Sequence, residues 1–172
     1  ETALGHPVTE AVITCPAYFE ADRRDATEKA ARLAGLTVLA LVNEPTAAAM
    51  AFGADRTKNG NLLIFDLGGG TFDVTVLHID DAGDIRVLLS NGDAELGGKD
   101  FDDAISAIVA ERLQIETGVE VGEDAVALAE LRQKAEKAKQ DLSVRQSVTI
   151  NLTAQGQRFK TQITRDEFSE AI

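Results

Sequence analysis

The sequence predicts an α/β chain, and three observations carry that prediction. Strand-like and helix-like patterns alternate through the first fifty or so residues, which is the α/β signature. Three strand-like runs with tight connections follow, at Leu62–Asp66, Phe72–Ile79 and Ile85–Ser90. Two long amphipathic helical patterns and a last pair of alternating runs complete the chain.

Each element has a local reason. Residues 11–15 (Ala-Val-Ile-Thr-Cys) are a short β-branched run closed by Pro16, as a strand end should be. From Glu20 to Ala34, the residues Ala26, Ala30, Leu33 and Ala34 recur at helical spacing, which predicts that they form the inward stripe. Gly35 follows where a helix-terminating glycine belongs. Residues 37–42 predict a second buried strand, and Asn43-Glu44-Pro45 opens an Ala-rich helix with Pro45 at the favoured first helical position. Polar residues from Arg56 to Asn61 predict a boundary. The runs ending at Asp66 and starting at Phe72 are too close for a parallel crossover, so they must form an antiparallel hairpin. Asp81-Ala82-Gly83-Asp84 makes the next turn. In the first long helix Phe101, Ile105, Ile108 and Val109 predict one apolar face; in the second, Leu128, Leu131, Ala135, Ala138 and Leu142 do. Val148, Ile150 and Leu152, then Phe159, Thr161 and Ile163, alternate with polar residues around Ala154-Gln155-Gly156-Gln157, a final hairpin.

Composition removes several functions. The 172 residues carry 17 Lys and Arg against 29 Asp and Glu, a net charge of −12. Phosphate neutralisation needs clustered cations, so no nucleic-acid partner is expected. The same sign argues against docking on an anionic membrane, and no apolar run approaches the roughly 18–20 residues of a span. The single cysteine, Cys15, excludes an internal disulfide; with only two histidines, a Cys/His zinc site is not expected either. Cys15 reads as a buried thiol, His6 and His78 as surface residues, and a reducing, cytoplasmic home is expected. A start at Glu1 and an end at Ile172 within a new helical pattern predict a piece of something longer.

The strongest chemical signal is Asp66-Leu67-Gly68-Gly69-Gly70-Thr71-Phe72-Asp73. Successive glycines let the backbone take positive φ and come close to a ligand, and their N–H groups can form a nest for phosphate oxygens. Asp66 and Asp73 flank the bend on neighbouring strands, and two carboxylates beside such a nest suit Mg²⁺. Thr71 can offer a hydroxyl to the terminal phosphate. The same octapeptide also suits a plain hairpin turn with solvated acids. Glu44 lies between a strand end and a helix start, where ligands gather in α/β folds; a capping carboxylate favoured by the helix dipole sits there equally well. Gly97 and Gly98 precede a helix that Asp100 can cap, which allows close backbone approach to a phosphate or simply a helix-entry loop. Glu136, Lys139 and Ser143 fall within roughly a 60° arc of one helix, a face suited to a base and ribose or to an ordinary surface ion pair.

Taken together, VTEAVITCPAYF (8–19), ARLAGLTVLALVNEPTAAAMAFG (31–53), NLLIFDLGGGTFDVTVLHID (61–80), SNGDAELGGKDFD (90–102) and AEKAKQDLS (135–143) resemble the nucleotide-binding domain of DnaK-type heat-shock chaperones, the 70-kilodalton class. The resemblance is collinear and covers essentially the whole chain. It implies an actin-like, ribonuclease-H-like ATPase fold, present in part: residues 1–57 as the back of lobe I, 58–96 as the front of lobe II with the phosphate-binding hairpin, and 97–172 as the upper subdomain of lobe II. It implies ATP or ADP with Mg²⁺ as ligands and in-line attack of water on the γ-phosphate. By the same resemblance Gly68, Gly69, Gly70 and Thr71 look like a phosphate loop, and Gly97 and Gly98 like a further one. Asp66, Asp73 and Glu44 look like the acids around the metal, mostly through water, with Thr71 among the catalytic groups. Glu136, Lys139 and Ser143 look like the adenosine side, and Pro16 and Arg24 like a proline switch and its relay arginine. Implied partners of the full-length protein, a monomer, are a J-domain co-chaperone, a nucleotide exchange factor and unfolded polypeptide clients.

The chain also departs from the pattern. Lys99 stands where an acidic residue is usual, Cys15 where Val or Thr is common, and Gln140 where many members have Arg; the hairpin at 147–163 is short. The family's first phosphate loop, its γ-phosphate lysine, its later adenosine loop and its peptide-binding domain are not in this sequence, so the piece alone is expected to be inactive. Lys99 and Gln140 also allow a non-hydrolysing actin-like switch or scaffold. An actin-fold sugar kinase is a third reading, against which NEPTAAA and AEKAKQDLS argue.

Overall fold

The computed structural model describes residues 2–52 and 59–172. The element order is β1 (Glu10–Cys15), α1 (Ala21–Leu33), β2 (Thr37–Asn43), α2 (Glu44–Phe52), β3 (Gly60–Leu67), β4 (Phe72–Ile79), β5 (Ile85–Asp93), α3 (Gly98–Thr117), α4 (Ala125–Leu142), β6 (Ser147–Ala154), β7 (Gln157–Thr164) and α5 (Arg165–Ala171). The chain is a mixed α/β protein that divides into two compact units, Glu1–Leu67 with Thr71–Ala94, and Gly68–Gly70 with Glu95–Ile172. The boundary predicted after residue 57 falls within 53–58, outside the described residues.

In the first unit β1 and β2 pair in parallel, linked by α1, while β3, β4 and β5 form an antiparallel sheet in that order. Alternation sorts the β4 side chains: Asp73, Thr75, Leu77 and Ile79 are buried, and the residues between them are half-buried. Leu77 and Ile79 pack with Ala49 of α2, with Leu62 and Ile64 of β3 and Ile85 and Val87 of β5 around them. On the other face Leu63 and Phe65 are exposed, and Phe65 stacks against Phe72 with ring centroids 4.7 Å apart.

Two expectations need correction here. The stripe Ala26, Ala30, Leu33, Ala34 lies outward, with Leu33 80% exposed, and Ala31 is the buried residue of α1 instead. Arg24 and Thr27, two turns and one turn before Ala31, share that half-buried side. A guanidinium bonded inside the unit turns the helix in a way apolar counting cannot foresee. The second strand is also less buried than predicted, because among the described residues β2 pairs only with β1, and Leu39 stays exposed. His78 alternates away from the core face of β4, its Nδ1 2.9 Å from Asn61 Oδ1 in an exposed contact across the β3–β4 pair.

The second unit holds the larger core. Ile105, Val109 and Leu113 of α3 meet Leu131, Ala135, Ala138 and Leu142 of α4 over Ile150, Leu152, Phe159 and Ile163 of the β6–β7 hairpin. The hairpin turns on Gln155 and Gly156, both with positive φ, as a two-residue turn matched to strand twist requires. Asp124 caps α4, its Oδ1 accepting from the Val126 and Ala127 N–H groups while Oδ2 accepts from Gln155. Arg112 ties α3 to Gln162 of β7 and to Glu167 of α5. Cys15 is buried, as expected of it. Among the described residues no helix is long and apolar enough to cross a membrane.

Leu131 is 1% exposed in the centre of this core, so Leu131→Ala should destabilise the unit by about 2–5 kcal/mol in denaturant unfolding. Val126→Ala on the outer face, at 79% exposure, should change stability by no more than about 0.5 kcal/mol.

Candidate functional site

Asp66 and Asp73 are directly opposed in the β3–β4 register, and opposed residues of an antiparallel pair share a face. That face carries Leu77 and Ile79 into the core, so strand parity drives Asp73 inward as well, to 4% exposure. Its Oδ1 is buried with no hydrogen-bond partner among the described residues. Gly92 of β5 pairs with Asp73 on the other side; a Cβ there would stand 2.0 Å from the Phe72 carbonyl oxygen, so only glycine lets the strand close.

Glu44 opens α2 where the parallel strand β2 ends. Burial raises the Glu44 pKa, and the charges of Asp66 and then Asp73 raise it further. Asp73 is raised by burial first and by Asp66 second. The Tyr18 hydroxyl belongs to the same neighbourhood: burial raises its pKa, Asp73 and Glu44 add to the rise, and Arg23 opposes it. Three acids thus crowd one region of the first unit, where Asp66 acts on both Glu44 and Asp73. Among the described residues no group of three or more His, Cys, Asp and Glu is close enough to hold a metal ion directly. An orphaned buried carboxylate oxygen among mutually repelling acids fits a hydrated hard cation, which keeps several of its waters and needs one or two protein oxygens.

Arg24, on the inner side of α1, donates from Nε to the Phe19 carbonyl at 3.0 Å and from its guanidinium to the Asn43 side-chain oxygen. Asn43 is the residue before Glu44, and it pairs in the sheet with Cys15, the residue before Pro16. The Pro16 carbonyl accepts from the Phe19 N–H at 3.1 Å. Pro16, Arg24 and Glu44 are therefore neighbours in one hydrogen-bonded strip of the first unit.

In the second unit the two glycine groups lie on each other. The Gly98 N–H donates to the Gly68 carbonyl at 2.9 Å, and the Lys99 N–H to the Gly69 carbonyl at 2.8 Å. A Cβ on Gly97 would fall 2.4 Å from the Gly70 nitrogen and 2.5 Å from the Gly69 carbonyl carbon, so the backbones touch with no room for a side chain. The expected positive φ is not found at Gly68, Gly69 or Gly70. Here the glycines serve close approach instead, and a Cβ on Gly69 or Gly70 would meet open space. Thr71 is half-buried and groups with the first unit.

Asp100 acts one turn later than expected of a capping residue. Gly97 is the N-cap of α3, and Asp100 Oδ2 reaches back to accept its N–H at 2.8 Å. On α4, Glu136 is exposed and Ser143 is the exposed C-cap. Lys139 is half-buried: its Nζ donates to the Gly98 carbonyl at 2.8 Å and pairs with Asp102 at 2.8 Å. The helix face read as adenosine-directed is thus tied to the second glycine pair. Lys99, the charge-altering departure, pairs along the exposed helix surface with Asp103.

Tyr18, Gly92 and Asp102 were missed by sequence reasoning. A glycine inside the strand run Ser90-Asn91-Gly92 was a usable sign of close backbone approach. Tyr18 and Asp102 had no local signal, since their partners are far along the chain.

Comparison with known proteins adds an independent finding. A family model described as Hsp70 protein matches residues 1–172. Heat shock 70-related protein 1, mitochondrial, of Leishmania major is 45% identical over 174 residues, an alignment covering 98% of this chain and 27% of that relative. The chain therefore spans about a quarter of the length of the curated relative it matches. That relative's mitochondrial name overturns the expectation of a cytoplasmic home; a lone thiol speaks to disulfide chemistry and not to compartment.

The acid cluster sets a pH dependence. A raised carboxylate pKa means that the folded chain keeps protons longer than the unfolded one, so stability falls as pH climbs from the ordinary carboxylate range through the raised folded values. Asp66→Asn removes the charge that lifts both neighbours. Carboxyl ¹³C titration should then show Glu44 and Asp73 both ionising at lower pH than in wild type. Unchanged midpoints would mean that Asp66 is not their electrostatic neighbour.

Proposed function

The chain belongs to the Hsp70 protein family, and on that premise we propose that it is part of an actin-like nucleotide-binding domain that binds and hydrolyses ATP within a longer chaperone. The observation that carries this reading is the buried, unpartnered Asp73 Oδ1 opposite Asp66 on the neighbouring strand. Burying an ionised oxygen without a partner is unfavourable, and a cationic ligand removes the penalty.

Asp66 and Asp73 would hold Mg²⁺, mostly through its water shell, with Glu44 orienting metal-bound and attacking water. Bound MgATP supplies the transferable phosphoryl group, and its metal neutralises part of the phosphate charge. Gly68, Gly69 and Gly70 are proposed to cradle phosphate oxygens, supported by the open space in front of Gly69 and Gly70. Gly98 and Lys99 support that bend from behind through their N–H bonds to the Gly68 and Gly69 carbonyls, with Gly97 packed against Gly69 and Gly70. Thr71 offers a hydroxyl toward the terminal phosphate. Glu136, Lys139 and Ser143 serve the adenosine side. Positioning and charge, rather than covalent chemistry, would then carry the hydrolysis.

Pro16 and Arg24 are proposed as the relay of nucleotide state, supported by the link from Arg24 through Asn43 to the residue before Glu44. In the full-length protein the outputs are binding and release of unfolded polypeptides, with a J-domain co-chaperone stimulating turnover and an exchange factor releasing ADP. The lobe assignments 1–57, 58–96 and 97–172 belong to this proposal.

In the full-length protein, Asp73→Asn and Glu44→Gln should each lower single-turnover hydrolysis of MgATP by about tenfold or more. Hydrolysis at the wild-type rate in both variants would refute these roles. Bound ATP that stays intact for hours in the wild type would point instead to a nucleotide switch without hydrolysis.

A further inference from the structure

Of the pairs Lys99–Asp103, Arg112–Glu167, Lys134–Glu130, Lys137–Asp141 and Lys139–Asp102, the last is the least exposed. The Lys99–Asp103 and Lys137–Asp141 pairs run along single helix surfaces with lysine side chains 73% and 68% exposed. Exposed pairs of that kind contribute little. The Lys139–Asp102 pair instead joins α4 to α3, with side chains only 23% and 20% exposed. The same ammonium donates to the Gly98 carbonyl, so a hydrogen bond and an ion pair both hold it within the unit. Gly98 and Lys99 in turn donate to the carbonyls of Gly68 and Gly69. One continuous chain of bonds thus runs from the Gly68–Gly70 bend, through Gly98 and Lys139, to the carboxylate of Asp102.

We propose that Asp102 is a positioning residue for nucleotide binding: it fixes the Lys139 ammonium on the Gly98 carbonyl, so that the glycine bend and the α4 face are presented to the ligand as one preorganised piece. The proposal rests on the nucleotide reading above. A free lysine has several rotatable bonds, and ordering it when ligand arrives weakens binding. A partly buried counter-ion orders it beforehand and leaves an N–H for a ligand oxygen. Asp102 itself touches no reacting atom, so its loss should act on ligand affinity and leave the chemical step alone.

The test uses the full-length protein and MgADP as the probe, with titration calorimetry for binding and single-turnover hydrolysis of saturating MgATP for chemistry. Asp102→Asn, which keeps size and one acceptor oxygen but removes the charge, should weaken MgADP binding by about tenfold and raise KM alike, with kcat within about twofold of wild type. Asp102→Glu should regain most of the affinity. Asp103→Asn, at the exposed pair, should bind like wild type. Combined with Lys139→Met, Asp102→Asn should add little further loss, because both act through one contact. In the absence of nucleotide, amide hydrogen exchange at Gly98 and Lys99 should quicken in Asp102→Asn. Wild-type affinity in Asp102→Asn, losses that multiply in the double variant, or unchanged exchange at those two amides would each overturn the positioning role. A wild-type protein that binds no MgADP would overturn the nucleotide reading and this inference together.

Discussion

Asp66 and Asp73 stand opposite each other across β3 and β4, and opposed side chains in an antiparallel pair must share a face. The face is set by the apolar residues further along the strands, since Leu77 and Ile79 need the interior and alternate residues follow them. Parity therefore carries a carboxylate inward along with the core. Little else in the first unit is free once that is so. Glu44 at the end of β2 gathers near the same acids and is pushed toward its protonated form, and Tyr18 feels their charge as well. A cluster in which burial and repulsion act in the same direction is unfavourable for the chain alone and favourable for binding a cation.

The second unit meets a different constraint, backbone against backbone. Gly97 lies so near Gly69 and Gly70 that no side chain fits, and two N–H···O bonds from Gly98 and Lys99 fix the spacing. The surrounding unit is well packed, with α3, α4 and the β6–β7 hairpin sharing one apolar core. A rigid support of this kind allows a glycine bend to be both uncrowded in front and immobile behind. Lys139 closes the arrangement by bringing a charge from α4 to the Gly98 carbonyl.

Where the sequence reading went astray, tertiary bonds overrode local pattern. The alanines and Leu33 of α1 have the right spacing for an inward stripe, yet the helix turns Arg24, Thr27 and Ala31 inward. The guanidinium finds the Phe19 carbonyl and the Asn43 side chain there, and buried hydrogen bonds to a charged group outweigh a few small methyl groups. Lys99 stands where an acidic residue is usual in the resembled family; in the fold its N–H holds the Gly69 carbonyl while its side chain pairs outward with Asp103, one turn along its own helix.

The amino-acid sequence on its own settled the α/β class, the hairpin around the triple glycine, the two amphipathic helices and the family, because each is a matter of short-range periodicity or of an ordered set of motifs. It also settled that Asp66 and Asp73 would be neighbours, since a five-residue connection leaves an antiparallel pair as the single possibility. Only the tertiary structure decided which of the two is buried, that Gly97 touches Gly69 and Gly70, and that Asp102 reaches Lys139 across two helices. Those facts depend on residues dozens of positions apart, whose meeting is decided by how a core closes and not by any pattern within a window of the chain.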